Sequence, residues 1–266
     1  MTVVTEEKVA LVAGASRGIG AETAKAFADA GYAVVLGARD AVALQRVVDD
    51  ITAGGGRAVA AVTDVGDVDS MEALVRLATE TFGRLDAAFN NATDGPMPGP
   101  LADLDVGGFD RGIRTNIRGT FLGMKYQIPA MLDSGGGAIV NMASVAGVRA
   151  MTHLSAYVAG KAAIIGLTEV AALDYANRGV RVNVVAPGPI LTHHLEQAGA
   201  EAQRLAGQAV PMGRVGTTSE VADVVLWLCS ERSSFVTGAT VPIDGGQLAG
   251  DKPPQMYRQG EGMVRT

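Results

Sequence analysis

Short apolar runs alternate with longer amphipathic stretches along most of the chain. The short runs are rich in β-branched residues and apolar at successive positions, which is typical of strands buried on both faces of a parallel sheet. Seven strands are predicted, at Val9–Val12, Ala33–Leu36, Ala58–Val62, Asp86–Phe89, Ala138–Asn141, Val180–Val185 and Ala239–Ile243. Helices are predicted between them, at Ile19–Ala30, Ala41–Ala53, Ser70–Phe82, Phe109–Met131, Tyr157–Asn177 and Ser219–Cys229.

This alternation of strands and helices predicts an α/β fold of the doubly wound type. A mostly parallel seven-stranded sheet would carry helices on both faces. No linker or internal repeat divides the chain, so residues 1–246 are predicted to form one domain. Residues 247–266 are polar and contain Pro253 and Pro254, which predicts a C-terminal tail.

The composition narrows the range of partners. The 266 residues include 22 Lys and Arg against 28 Asp and Glu, a formal charge of −6. Binding to nucleic acid or to an anionic membrane surface is therefore not expected. No uninterrupted apolar run approaches the roughly 20 residues of a bilayer span. A single cysteine and the lack of a basic-then-apolar leader favour the cytoplasm.

Glycine or polar residues follow the ends of six predicted strands. In an open parallel sheet these positions share one rim, where ligands bind. They are Gly14, Gly18, Gly20, Arg39, Asp64, Asn90, Asn91, Ser144, Pro187 and Gly188. The first group, Gly14-Ala15-Ser16-Arg17-Gly18-Ile19-Gly20, lies between a strand and a helix. Its spacing lets the backbone approach a pyrophosphate at the helix N-terminus, which predicts a dinucleotide site.

The exit of the second strand bears on the choice of nucleotide. An acidic side chain there would bind the ribose hydroxyls of NAD, whereas the 2′-phosphate of NADP calls for arginine. Arg39 follows this strand, and Arg17 in the glycine loop could bind the same phosphate. The sequence therefore predicts NADP(H). The alternative is that Asp40 binds the ribose of NAD(H).

Tyr157 and Lys161 are four residues apart and share one helix face. Lys161 lies in an apolar segment, where a buried ammonium is costly without a function. A nearby cation favours the phenolate, so we expect Lys161 to lower the pKa of Tyr157 and make it a proton donor and acceptor near neutral pH. Ser144 could hold a substrate oxygen at the same rim. The alternative is a core tyrosine beside a lysine whose end reaches solvent.

From Lys8 to Gly246 the chain resembles the short-chain dehydrogenases/reductases in their compact Rossmann form. The resemblance rests on the glycine loop, Asp64-Val65, Asn90-Asn91-Ala92, Asn116, Ser144, Tyr157 with Lys161, Pro187-Gly188 with Thr192, and Asp244-Gly245-Gly246. It implies the strand order 3-2-1-4-5-6-7 and a homotetramer. The helix from Tyr157 agrees with subunit contact, because it is apolar on more than one side.

The resemblance also implies the roles of single residues. Asn116, Ser144, Tyr157 and Lys161 would be catalytic, with Asn116 completing a proton relay through water to Lys161. Lys161 would also bind the nicotinamide ribose, Asp64 and Val65 the adenine, and Thr192 the carboxamide. The expected cofactor-binding residues are Gly14, Ser16, Arg17, Gly18, Ile19, Gly20, Arg39, Asp64, Val65, Asn91, Ala92, Tyr157, Lys161, Pro187, Gly188, Ile190 and Thr192.

Three positions depart from the family pattern. Ala13 stands where threonine is common, Thr93 where the Asn-Asn-Ala-Gly stretch ends in glycine, and Gly160 where serine precedes the lysine. None of them removes a reacting group. Thr93 restricts the backbone near the nicotinamide, and Gly160 permits close approach of another element.

The expected activity is hydride transfer between NADP(H) and the carbonyl or secondary alcohol of a small, largely apolar substrate. The expected apolar wall is Val145, Ala146, Met151, Leu154, Ile190 and Leu191. One alternative is reduction of a carrier-bound 3-oxoacyl chain, with docking candidates Arg111, Arg114, Arg118 and Arg149. Another is a non-catalytic NADP(H)-sensing regulator. His193 and His194 are adjacent and lack a third ligand, so no metal site is expected.

Overall fold

The seven strands form one sheet with the order β3-β2-β1-β4-β5-β6-β7, and every neighbouring pair is parallel. The computed structural model describes residues 7–250. The strands are β1 (Val9–Ala13), β2 (Ala33–Ala38), β3 (Ala58–Val62), β4 (Ala87–Asn90), β5 (Gly137–Met142), β6 (Val180–Pro187) and β7 (Thr240–Ile243). The predicted doubly wound fold and its strand order are confirmed.

Ten α-helices connect or follow the strands in this part of the chain. They are α1 (Gly18–Asp29), α2 (Ala41–Ala53), α3 (Val68–Phe82), α4 (Val106–Gly112), α5 (Gly119–Asp133), α6 (Val145–Val148), α7 (Ser155–Tyr175), α8 (His193–Gln197), α9 (Gly199–Gln208) and α10 (Thr218–Cys229). Of these, α6, α8 and α9 lie in segments for which no helix is predicted. The predicted tail lies outside the described residues from position 251 onward.

The central strands are apolar throughout because both faces of the sheet are covered. All residues of β1 and β2 are buried. Successive side chains point to opposite faces, so Val12 packs in one core with Phe27, and Leu11 packs in the other with Leu74. The continuous apolar runs of the sequence therefore reflect burial on two sides.

The predicted helix Phe109–Met131 is not one regular helix. It consists of α4, a π-helical segment at Ile113–Arg118 and α5, in which the N–H of Gly119 bonds to the carbonyl of Arg114. A π turn holds one more residue than an α turn and is common at functional sites. Asn116 lies in this segment and is completely buried.

Four buried polar side chains connect the sheet with the helices on one face. The amide of Asn90 donates to Gln127 at 3.0 Å and to Asn141 at 2.9 Å, and the amide of Asn141 donates to Thr168 at 2.9 Å. This network joins β4 and β5 to α5 and α7. The side chain of Asn90 thus ties the end of β4 to its neighbours.

Helix α7 with the turn after it, Ser155–Arg178, is long and apolar enough to cross a membrane by length and composition alone. The core helix of a soluble protein has the same properties, and α7 packs against β5 and β6. Val170 and Leu173 on this helix are exposed.

Candidate active site

A cleft of about 410 Å³ opens at the carboxyl ends of the strands. Parallel strands bring loops from distant parts of the chain to this rim. Most of the predicted site residues line the cleft: Gly14, Ser16, Arg17, Gly18, Ile19, Arg39, Asp64, Val65, Asn91, Ala92, Ser144, Tyr157, Lys161, Pro187, Gly188, Ile190 and Thr192. Two predicted site residues, Gly20 and Asn116, are not among the described residues that line the cleft.

The loop between β1 and α1 has the features of an anion site. Gly14 has φ +88° and Gly18 has φ +55°, conformations that favour glycine. The N-terminus of α1 has no side-chain cap, whereas Asp40 and Asp67 cap α2 and α3. The N–H groups of α1 therefore remain available to a phosphate. These residues fit the pyrophosphate of a dinucleotide.

Gly20 supports the loop from behind rather than facing the cleft. A Cβ at this position would lie 2.0 Å from the carbonyl oxygen of Gly14 and 2.6 Å from Nδ2 of Asn91. That amide donates to the Gly14 carbonyl at 2.9 Å. Gly20 therefore allows α1 to pack closely against the loop after β1, and its place among the cofactor-binding residues remains a prediction.

Arg17 and Arg39 are both exposed, and both line the cleft. The guanidinium of Arg39 forms an ion pair with Asp94 at 3.4 Å. Asp40 also lines the cleft, but its carboxylate caps α2 by accepting a hydrogen bond of 3.0 Å from the N–H of Ala43. Asp40 thus has a structural role that accounts for its position beside Arg39.

Asp64 joins the cleft to the π-helical segment. Its carboxylate accepts hydrogen bonds from the N–H of Gly66 at 3.0 Å and from Arg114 at 2.8 Å. Burial alone would raise the pKa of Asp64, but these two partners, with the more distant charge of Arg39, hold it below its usual range. Asp64 therefore stays ionised at the position expected to bind adenine.

Tyr157 and Lys161 lie on one face of α7, next to the end of β5. The Nζ of Lys161 is 5.5 Å from the centroid of the Tyr157 ring and donates a hydrogen bond of 2.9 Å to the carbonyl of Met142. Lys161 is 1% exposed, so its alkyl chain does not carry the charge to solvent. Ser144 caps α6 by accepting from the N–H of Ala146 and lies at the same end of the cleft.

The protonation states differ from the sequence-based expectation. Burial raises the pKa of Tyr157 above 10, and a hydrogen bond with Ser144 opposes this shift. Burial also lowers the pKa of Lys161 to about 7. The expected lowering of the tyrosine pKa by the lysine is therefore wrong for the protein without ligands. Desolvation disfavours both charged forms, and the sequence spacing gives proximity but not burial.

Asn116 lies behind the cleft wall. Its Oδ1 accepts from the hydroxyl of Thr93 at 2.9 Å, and its Nδ2 donates to the carbonyl of Asp94 at 2.6 Å. The side-chain amide thus has partners on the loop after β4. Its part in a relay to Lys161 remains a prediction.

Comparison with known proteins decides the family. A family model described as Enoyl-(Acyl carrier protein) reductase matches residues 14–247. Cyclohexanol dehydrogenase of Acinetobacter sp. (strain SE19) is 44% identical over 238 residues, which cover 90% of this chain and 94% of that protein. The chain belongs to the short-chain dehydrogenase/reductase family.

Solved structures of this family agree with the fold. The crystal structure of levodione reductase matches with a TM-score of 0.87 and 35% identity, covering 91% of this chain and 98% of the other. That of NAD⁺-bound xylitol dehydrogenase matches with a TM-score of 0.86 and 34% identity, covering 90% and 98%. Short-chain dehydrogenases/reductases use nicotinamide cofactors, which suits the uncapped glycine loop of this chain.

Some residues that line the cleft are not among the site residues predicted from the sequence. They are Ala38, Thr63, Thr93, Thr115, Met142, Ala143 and His193. Ala38, Thr63, Met142 and Ala143 lie at or just after strand ends, so the strand-exit rule could have found them. Thr115 lies in the π-helical segment and has no such signal. No cluster of three or more metal-ligating side chains occurs within residues 7–250.

Proposed function

We propose that the chain is an NADP(H)-dependent oxidoreductase that interconverts a ketone and the secondary alcohol of a small, largely apolar, cyclic substrate. The observation that carries this proposal is that Ser144, Tyr157 and Lys161 line the same cleft as the uncapped glycine loop. The similarity to a cyclohexanol dehydrogenase supports a cyclic substrate.

Ser144, Tyr157 and Lys161 each have a separate role in the proposed reaction. A bound nicotinamide supplies the hydride in reduction and accepts it in oxidation. Ser144 holds the substrate oxygen by a hydrogen bond, and Tyr157 donates its proton to that oxygen as the carbonyl carbon becomes an alcohol carbon. Oxidation reverses both transfers, with the phenolate as the proton acceptor. Lys161 in its charged form stabilises the phenolate.

The protonation states favour a proton donor at neutral pH. The raised pKa of Tyr157 keeps the phenol protonated, as reduction requires. Alcohol oxidation needs the phenolate and is therefore expected to gain rate as the pH rises. The expected cofactor contacts of Lys161 would add ribose hydroxyls around its buried ammonium group and so favour its charged form.

NADP(H) is favoured by charge at the second strand exit. Arg39 is exposed at this exit and Arg17 is exposed in the glycine loop, while the carboxylate of Asp40 is engaged as the cap of α2. Two guanidinium groups can donate several hydrogen bonds to one phosphate. Since Asp94 pairs with Arg39 in this structure, a 2′-phosphate would compete with that carboxylate.

The predicted apolar wall is only partly present at the cleft. Of the six residues expected to form it, only Ile190 is among the described residues that line the cleft. Val145 and Ala146 are buried, and Met151 is exposed. We therefore assign the substrate to the end of the cleft between Tyr157 and Ile190, with Met142 and Ala143 as further apolar contacts.

A carrier-bound 3-oxoacyl substrate is the second candidate, because the matching family model carries an acyl-carrier-protein description. Docking an acidic carrier needs basic side chains near the mouth of the cleft. However, Arg114 is paired with Asp64 at 2.8 Å, Arg111 lies 3.9 Å from Asp105, and Arg118 donates to the carbonyl of Gly66. These internal partners reduce the positive potential that would attract a carrier.

A panel of substrates with both cofactors tests the proposed function. Cyclohexanone, cyclohexanol, open-chain ketones of similar size and a 3-oxoacyl carrier substrate would be assayed by nicotinamide absorbance. We expect turnover with the cyclic pair and preference for NADP(H). Turnover restricted to the carrier substrate would select the second candidate. Cofactor binding with no turnover on any substrate would instead identify a non-catalytic sensor.

We also propose a cytoplasmic homotetramer. Val170 and Leu173 on α7 and Phe121 on α5 expose apolar surface on the outer side of these helices. Covering this surface with another copy would remove it from water. Light scattering at micromolar concentration is expected to give the mass of four chains, and a monodisperse monomer would contradict this expectation.

A further inference from the structure

Two of the positions that depart from the family pattern meet at one residue. Thr93 donates a hydrogen bond of 2.9 Å to Oδ1 of Asn116. A Cβ at Gly160 would lie 3.2 Å from the Cβ of the same asparagine. Thr93 and Gly160 are 67 positions apart in the sequence but approach different atoms of one buried side chain. We propose that Thr93 is a positioning residue that holds the amide of Asn116, and that Gly160 leaves the space this arrangement requires.

The hydrogen bonds of Asn116 fix the orientation of its amide. Oδ1 accepts from Thr93, and Nδ2 donates at 2.6 Å to the carbonyl of Asp94, the next residue on the same loop. Asn116 is completely buried, while Thr93 is exposed and lines the cleft. The hydroxyl of Thr93 is therefore the link between the cleft wall and the amide behind it. Without it, Oδ1 would lose its hydrogen bond from Thr93 in a buried position.

The space between Asn116 and Gly160 is narrow. Gly160 is buried in α7 and directly precedes Lys161. A contact of 3.2 Å between two Cβ atoms is tighter than most side chains allow, so a larger residue at 160 would displace the asparagine or the helix. The backbone before Lys161 and the hydroxyl of Thr93 thus hold Asn116 from two sides.

This inference rests on the proposed function, since positioning of Asn116 matters to catalysis only if it serves proton transfer toward Lys161. Thr93→Val keeps the shape of the side chain and removes its hydroxyl, whereas Thr93→Ser keeps the hydroxyl. We expect Thr93→Val to lower kcat about fivefold, which corresponds to about 1 kcal/mol, with little change in KM or in cofactor Kd. Thr93→Ser should retain most of the wild-type kcat.

The solvent deuterium isotope effect on kcat separates positioning from a general structural role. Slower proton relay should make the isotope effect larger in Thr93→Val than in wild type. Thr52→Val provides the matched control, because Thr52 is an exposed residue of α2 whose hydroxyl bonds to its own helix. Wild-type kcat in Thr93→Val, equal losses in Thr93→Val and Thr93→Ser, or an unchanged isotope effect would each overturn the proposal.

The pairing with Gly160 gives a second test. Gly160→Ala is expected to lower kcat by moving Asn116, and the double variant with Thr93→Val should lose less than the product of the single losses, because both changes act on one amide. If the loss of kcat in the double variant equals the product of the single losses, the role assigned to Gly160 is overturned.

A measurement that needs no turnover separates failure of the positioning role of Thr93 from failure of the proposed oxidoreductase function. The side-chain amide signal of Asn116 in ¹⁵N-labelled protein, assigned by its disappearance in Asn116→Asp, should shift in Thr93→Val and remain near its wild-type position in Thr93→Ser. If the wild type reduces no ketone, the proposed function has failed, and this signal then decides the contact. An unchanged signal in Thr93→Val would overturn the positioning role.

Discussion

The ammonium nitrogen of Lys161 lies 5.5 Å from the centre of the Tyr157 ring, and both side chains come from one helix. The four-residue spacing brings them to the same face, and the packing of α7 against the end of β5 buries them. The lysine donates to the carbonyl of Met142 at 2.9 Å. Burial lowers its pKa to about 7, so the ammonium loses its proton more readily than that of an exposed lysine.

This buried ammonium makes the stability of the ligand-free protein depend on pH. Because the folded pKa of about 7 is below the ordinary 10.5, the unfolded chain binds more protons between these values. The cost of burying the charge is thus fully present below pH 7 and disappears as the pH rises toward 10.5. Lys161→Met should gain stability relative to wild type at pH 6, and the gain should shrink by pH 10.

Urea denaturation of both proteins across this pH range measures the difference. Lys125→Met is the control, because Lys125 is exposed and its replacement should give no comparable pH dependence. A difference between Lys161→Met and wild type that is constant from pH 6 to pH 10 would show that the folded lysine keeps its ordinary pKa, and would contradict this account.

Arg39 is predicted to set the preference for the phosphorylated cofactor. Arg39→Asp removes a guanidinium from the exit of β2 and places a carboxylate there, which repels a phosphate and can bind ribose hydroxyls. The ratio of NADP(H) to NAD(H) affinity should fall about 10- to 100-fold, from the loss of charge-assisted hydrogen bonds worth about 1.5–3 kcal/mol.

Cofactor fluorescence titration gives both dissociation constants. Arg46→Asp makes the same change of charge on the exposed part of α2 and should leave the ratio nearly unchanged. An unchanged ratio of NADP(H) to NAD(H) affinity in Arg39→Asp would reject the role of Arg39 in binding the 2′-phosphate. It would favour the alternative in which Asp40 binds the ribose of NAD(H).

The buried network around Asn141 is predicted to stabilise the fold. Asn141→Leu removes an acceptor of Asn90 and the amide that donates to Thr168, leaving polar groups without these partners in the core. The free energy of unfolding should fall by about 1–3 kcal/mol for each group left unsatisfied.

Gln45→Leu breaks an exposed hydrogen bond to Asp49 on α2 and should change the stability by less than about 0.5 kcal/mol. Denaturant titrations of the two variants can be compared directly. Equal stability of Asn141→Leu and wild type would mean that apolar packing replaces the network without cost.

The sequence predicts the sheet well because its strands are buried on both faces. β3 and α2 have the predicted bounds, and the other strands differ at their ends by one or two residues. The strand-exit rule also places most cleft residues correctly, since the ends of parallel strands share one rim. This part of the prediction depends on local apolar runs and on topology.

The remaining differences depend on three-dimensional packing. The π-helical segment around Asn116 follows nearly the same apolar pattern as a regular helix, so the sequence gives no sign of it. Gly20 and Gly14 have the same residue type and the same loop, yet only Gly14 lines the cleft. The pKa of Tyr157 depends on burial, which a spacing of four residues does not report.

The central claim is that the Tyr157 phenol exchanges a proton with the substrate oxygen, and single-turnover reduction by Tyr157→Phe tests it most directly. The variant keeps the ring and removes only the hydroxyl, so cofactor Kd should stay close to that of wild type. With preloaded NADPH and a ketone turned over by wild type, the reduction rate should fall about 10²- to 10⁴-fold. A wild-type rate in this variant would contradict the account.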